Sequence, residues 1–312
     1  MLLVIQPDLV ERVVFEAVRG DAAQSRAYHR EFARCHNEPE GEARDAVFRQ
    51  FHERWFEQLG FHRRINDIVN EFRFITREVS RVVITPAGGR GGQSAELFGK
   101  PGTYSVVLTV AAATLLDDAA FAYWARHELL HIDDMLDPGF EYDVAARPSG
   151  SSLAARNLGR DRYALLWALS IDARLAQSNP TARLLKTQRQ REFALAWGIC
   201  DSQAADEVFD HFWTKFAAGR PTHQELLAWT RATWTGVAEN DGASPHRRAI
   251  LPGDPCPACK FKTFDWASAS QLEQIDNVVR ENLPGWRPED GLCGRCAEVY
   301  SIETAGCVPV AV

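Results

Sequence analysis

The sequence has no run of roughly 18 uninterrupted apolar residues, the length that a membrane-spanning helix needs, so no membrane span is expected. Its start, MLLVIQPDLVERV, lacks the basic n-region and small-residue cleavage site of a signal peptide, which places the chain in the cytoplasm on this reading. Positive charge is in deficit. Thirty-five Lys and Arg stand against 42 Asp and Glu, a net charge of −7 that repels phosphate backbones and argues against nucleic acid as a partner. Seven cysteines in 312 residues are too few for a disulfide scaffold. Internal repeats and low-complexity tracts are absent. The glycine run Gly88-Gly-Arg-Gly-Gly92 lacks the spacing and the Lys-Ser/Thr of a P-loop, so it reads as a flexible connection, or else as a lid over a substrate.

What is present is the composition of a globular protein, 46% hydrophobic and 25% charged, with apolar mass for one large core or two smaller ones. From Pro7 to about Phe74 the pattern is helical, with Val10, Val13, Val14 and Ala17 at helix spacing, and Val47, Phe48, Phe51, Trp55 and Phe56 repeating it over Ala43 to Leu59. Two β-branched runs follow, Val79 to Thr85 and Tyr104 to Val110, expected to share a small sheet. Helical periodicity returns from Asp118 to about Met135, where Asp137-Pro-Gly139 must break it. A Gly, Pro and Ser-rich loop, Pro138 to Ser152, leads to an apolar helix over Arg162 to Leu175, and two further helices follow. The last starts at a capping box, Thr222 with Glu225. The fold class expected is α+β, predominantly helical. Its organisation is a helical layer over residues 1–78, a central domain over 79–239, a linker over 240–254, a four-cysteine module over 255–303 and a tail over 304–312.

The central helix carries His127-Glu128-Leu129-Leu130-His131, an HExxH motif. On a 3.6-residue helix, positions i and i+4 project from one face, so His127 and His131 can grip one zinc ion. Glu128 points to the adjacent groove, where its carboxylate reaches a zinc-bound water and serves as the general base. The bland alternative is a pair of exposed or capping histidines on a core helix. These residues resemble the zincin metallopeptidases, over roughly residues 79 to 178. The resemblance implies a catalytic Zn²⁺, a third ligand from a later helix, and a cleft in which a peptide lies extended beside an edge strand such as Tyr104 to Val110. The chain departs from the metzincin extension HExxHxxGxxH, with Asp134 at the glycine position and Asp137 at the third histidine, and it lacks the NExxSD element of thermolysin-like enzymes.

A catalytic zinc needs a third protein ligand. Asp134 lies at i+7 from His127, roughly 10 Å along a straight helix, too far to share one ion comfortably. Asp172 is preferred, because Leu165, Ala168, Leu169 and Leu175 place its carboxylate on the buried stripe of an apolar helix, where something positive must face it. Two other roles stay open for Asp172, a hydrogen bond to the distal nitrogen of a zinc histidine and an ion pair with Arg174 or another arginine. Glu141 is the reserve ligand. For stabilising an oxyanion, Tyr142, Arg147, Tyr163 and Arg174 are all candidates.

The second signal is Cys256-Pro-Ala-Cys259 and Cys293-Gly-Arg-Cys296, two CxxC pairs separated by 33 residues. Four thiolates close a tetrahedral zinc site with no open position, which makes it structural, in a zinc ribbon or treble clef with a helical insert over Ser270 to Asn282. Rubredoxin-like iron and a redox pair are the alternatives. Residues 254–303 hold five Lys and Arg against nine Asp and Glu, the wrong sign for phosphate contacts. Phe261, Phe264, Trp266 and Trp286 form either a protein-docking surface or the module's core, and Cys35, Cys200 and Cys307 read as free thiols. The functional expectation is a two-zinc hydrolase, most simply a metallopeptidase acting on a peptide or protein substrate. The alternative is a non-catalytic two-zinc binding or maturation protein that docks a protein partner through its cysteine module.

Overall fold

A computed structural model describes residues 1–37, 40–88, 92–148, 153–197, 202–231, 250, 252–283 and 286–304. The core of the expected linker (240–249), most of the glycine run (89–91), the end of the Pro138 to Ser152 loop, Cys200, Cys307 and nearly all of the tail lie outside the described residues. The chain is α+β and mostly helical, with one small four-stranded mixed sheet. It divides into two compact units, residues 1–146 with 164–229, and residues 147–163 with 230–312.

The first unit opens with a strand. β1 (Leu2–Ile5) precedes α1 (Pro7–Val18), α2 (Ala22–Cys35), α3 (Glu42–Gln58), α4 (Phe61–Val69) and α5 (Arg73–Glu78). The chain then forms β2 (Val79–Pro86), β3 (Ser94–Phe98) and β4 (Tyr104–Val110), followed by α6 (Ala112–Leu116) and α7 (Asp118–Leu136). α8 (Leu153–Leu175) is followed by α9 (Pro180–Trp197), α10 (Ser202–Ala218) and α11 (His223–Trp229). The helical spacing in α1 is realised as a buried stripe of Leu9, Val10, Val13, Val14 and Val18, packed in one core with Phe51, Trp55 and Phe56 of α3 and with Phe121, Ala125, Leu129 and Ile132 of α7. Each such side chain contributes about 1.5–3 kcal/mol when fully buried.

The sheet order is β1-β2-β4-β3, with β1, β2 and β4 parallel and β3 antiparallel to β4. The two strands read from the sequence do pair with each other, Val82 opposite Val106 and Ile84 opposite Leu108. Val82, Ile84, Val106, Leu108 and Val110 face the core, while Val83, Thr85, Val107 and Thr109 alternate onto a partly exposed face. One expectation is corrected here. Tyr104 to Val110 is an interior strand, because β3 closes back onto it, and the edge beside α7 is Ser94–Phe98. The reversal needs glycine at 99: its φ is 99°, and a Cβ there would lie 2.8 Å from the carbonyl oxygen of Thr103.

Asp117 starts α7 by accepting from the N–H groups of Ala119 and Ala120. α7 then packs against α4, α5, α6, α9 and β3. In the second unit, α12 (Ala269–Asn282) starts at a Ser268–Gln271 capping box, and α13 (Gly294–Thr304) holds Cys296 in its first turn, with Cys293 immediately before it. Leu272, Ile275, Val279, Trp286, Leu292 and Ala297 form the core of that unit with the cysteines.

Candidate metal centres

On α7 the two histidines of HExxH stand one turn apart on one stripe, with ring centroids 5.1 Å from each other. His127 is buried, and its Nδ1 lies 2.8 Å from Oδ1 of Asp172. His131 packs edge-on against the Trp167 ring, centroids 4.6 Å apart. Burial is the main reason its pKa is held down to about 3, and the neighbouring His127 and Arg174 push the same way. Glu128, next to His127, turns toward the sheet and accepts from the N–H of Ala95 on the outer edge of β3 at 3.3 Å. Burial pushes the Glu128 carboxyl above its ordinary value, against the pull of His127 and of that N–H.

The three aspartates that follow each take a separate post. Asp133 accepts from the N–H groups of Phe74 and Ile75 and so caps α5, which has no cap of its own. Asp134, 1% exposed, receives both Nη atoms of Arg174 at 3.0 and 2.6 Å, Arg220 at 3.4 Å and the Trp167 indole at 3.1 Å. Asp137 accepts from Gly139 N–H and pairs with Arg220 at 2.6 Å. Asp134 is therefore the centre of a buried ion-pair cluster, neither exposed nor a cap.

Asp172 is fully buried on α8, as its apolar neighbours require. Its Oδ1 faces His127 and accepts the Tyr123 hydroxyl at 2.8 Å, and its Oδ2 accepts Nε of Arg189 at 2.7 Å. Burial alone would raise its carboxyl, but the hydrogen bond and charge of His127, with the Arg189 guanidinium, outweigh that and hold it below its ordinary value. Asp172 thus meets both a ring nitrogen of His127 and an arginine, and the arginine is Arg189, not Arg174, which Asp134 engages. One turn before Asp172 stands Ala168, whose methyl offers no ligand atom. Glu141 sits exposed on a left-handed turn at φ 56°. Among the described residues, no third His, Cys, Asp or Glu joins His127 and His131 within the reach of one ion. Of the oxyanion candidates, Arg174 is committed to Asp134, Tyr142 is 37% exposed, and Arg147 and Tyr163 belong to the second unit.

The four cysteines do converge. The ligand atoms of Cys256, Cys259, Cys293 and Cys296 all lie within 4.8 Å of one another, a set that can hold one metal ion. The first pair sits in a tight turn in which Lys260 takes φ 63° and the Lys260 N–H closes onto the Cys256 carbonyl at 2.8 Å. The Cys293 N–H points at Cys256 Sγ, 3.4 Å away. Burial opposes ionisation of Cys256, but N–H groups of Cys293, Cys259 and Ala258 outweigh it and bring this thiol down to about 7. Cys296 moves the other way, raised by burial and by the sulfurs beside it. Of the four aromatic residues, Trp286 is buried with its indole on the Gly291 carbonyl, Trp266 is partly buried, and Phe261 and Phe264 are 76% and 79% exposed. Cys35 is a buried free thiol.

Two residues of the α7 network escaped the sequence reading. Tyr123 stands at i−4 from His127 and was legible by helical spacing alone, whereas Arg189 lies in the polar stretch Lys186 to Arg191, where nothing distinguishes it from its neighbours. Compared with protein-family models, with curated proteins and with solved structures, the chain matches none.

Proposed function

We propose that the chain is a zinc-dependent hydrolase, with peptide bonds as the substrate class, whose water is activated between His127, His131 and Glu128, and that a second, structural zinc occupies the four cysteines. The observation that carries this reading is the 2.8 Å contact of His127 Nδ1 with Asp172. A histidine that binds metal through one ring nitrogen characteristically gives the other to a carboxylate, which fixes its tautomer and aim. That contact leaves Nε2 of His127 for the ion. Zinc, when bound, supplies a Lewis acid and water acidic enough to lose a proton near neutral pH. Glu128, with its raised carboxyl, takes that proton and returns it to the leaving amine. The outward N–H of Ala95 holds Glu128 at the strand edge, where an extended peptide would run.

The direct-ligand role expected for Asp172 is the competing one, and it requires the carboxylate to leave Nδ1 of His127 for an ion held at the far nitrogen of the same ring. Asp172→Ala and Asp172→Asn separate them. An orienting carboxylate costs 10- to 100-fold in affinity when lost and is partly replaced by Asn, whereas loss of a ligand abolishes binding in both. The test of the hydrolase is Glu128→Gln, expected to keep the zinc and to lower hydrolysis by a factor on the order of 10² to 10⁴.

A separate observation favours the adaptor reading. The four cysteines are the complete ligand set among the described residues, and Phe261 and Phe264 stand exposed beside the first pair. On that reading Glu128→Gln leaves biological activity intact and Phe261→Ser with Phe264→Ser removes it.

A further inference from the structure

We propose that Arg189 is a positioning residue for the His127 metal ligand, acting through Asp172; the proposal rests on the metal reading of the HExxH helix. Asp172 lies between three helices. α7 supplies Tyr123 and His127, α8 supplies the carboxylate, and α9 supplies Arg189. The carboxylate is free to turn about its Cβ–Cγ bond, and the broad torsional preference of that bond does not choose a plane. Tyr123 and His127 both approach the same oxygen, Oδ1, from the same helix, so neither sets the plane against the other. Among the described residues Arg189 alone takes Oδ2, at 2.7 Å, and it approaches from a different helix.

Arg189 is itself immobilised. Its Nη1 is 2.8 Å from Oε2 of Glu192, one turn on, and α9 packs against α7. The guanidinium thus links Glu192 to Asp172 in a chain of contacts that ends on the Nδ1 of His127. Asp134 shows what a structural carboxylate looks like in the same unit: its two oxygens are filled by arginines and a Trp indole. Asp172 differs in turning one oxygen to a histidine nitrogen and a tyrosine hydroxyl of α7, and Arg189 is what keeps that oxygen facing them. Removing Arg189 should therefore loosen the aim of the imidazole without removing any ligand.

The experiment uses the full chain with the cysteine site filled by one equivalent of Zn²⁺, titrated with Co²⁺ alone. The d–d absorption of a histidine-bound Co²⁺ is read separately from the thiolate charge-transfer band, which reports any exchange at the cysteines. The wild-type chain is expected to show one such site, lost in His127→Ala. Arg189→Met is expected to weaken it 10- to 100-fold, and Arg189→Lys, which keeps one charged donor for Oδ2, to recover most of that loss. In an Asp172→Ala background Arg189→Met should weaken Co²⁺ binding no further, because both act on one contact. Should Arg189→Met not fold, Arg189→Gln takes its place in both backgrounds. Unchanged Co²⁺ affinity in the Arg189 variants, equal loss in the Met and Lys variants, or additive loss with Asp172→Ala overturns the proposal. Absence of any His127-dependent Co²⁺ site in the wild-type chain instead overturns the metal reading beneath it.

Discussion

Asp134 carries two arginines and an indole on one buried carboxylate, and the cost of removing it is set by what it leaves behind. In Asp134→Ala the guanidinium group of Arg174 loses its buried counter-charge, while Arg220 keeps Asp137, so a loss of about 3–5 kcal/mol is expected, read as a lower urea midpoint at unchanged slope. His131 has a pH signature. Its folded pKa is depressed from 6.5 to about 3, so as pH falls below 6.5 the unfolded chain takes up a proton that the folded chain refuses. Stability present above pH 6.5 is lost as pH falls, by up to about 1.4 kcal/mol per pH unit from this one group. His52, depressed by burial, works in the same direction, and Glu128, raised by burial, in the opposite one. Urea midpoints of the metal-free chain between pH 7.5 and 5 should therefore fall with acid, and His131→Gln should flatten the slope; a flat wild-type profile would refute the assignment. At this scale the sequence announced His127, Glu128 and His131 through spacing, and Asp172 through the apolar stripe around it. It was silent on Arg189, because a surface-type helix with several Arg and Gln residues does not show which one turns inward.

Helix α5 is six residues long with no side-chain cap of its own, and Asp133 of α7 supplies one across the interface. Asp133→Ala should cost about 1 kcal/mol, and hydrogen exchange should locate the loss at Phe74 and Ile75. Equal protection of those amides in the variant would show that the cap contributes nothing. The elements that were legible are those with a long signal. α7 and α8 have apolar periodicity over several turns, and β2 and β4 are dense in β-branched residues. β1 and β3 were not, at four and five residues, and Ser94-Ala-Glu-Leu-Phe98 has neither the branching nor the clean alternation of a buried strand. Missing β3 placed the sheet edge one strand too far in. The Thr222–Glu225 capping box was read correctly, and the structure shows both of its hydrogen bonds, at 2.8 and 3.2 Å.

In the molecule as a whole, the cysteines sit in a unit with its own apolar core, so metal and fold should be coupled there and not elsewhere. Cys256→Ser with Cys293→Ser should unfold the residues around α12 and α13 while the first unit keeps its melting transition, measured by calorimetry; loss of both transitions would show that the module is integral. The four-cysteine set was legible because its ligands come as two local pairs. The surroundings of the histidines were legible only in part: the apolar stripe picked out Asp172, but that it meets His127 together with Tyr123 and Arg189 is a tertiary fact.

β1 pairs with β2 in parallel register, Leu2 beside Arg81 and Ile5 beside Ile84, a separation of 79 residues with five helices between. A loop of that length must close before the strand gains any hydrogen bond, whereas the contacts among α1, α2 and α3 are local. In folding time, therefore, β1, made before its partner β2, is the last strand of the sheet to find its place: the helical layer should protect its amides early, and pulse-labelled exchange should find those of Leu3 and Ile5 open until the rest of the sheet has formed.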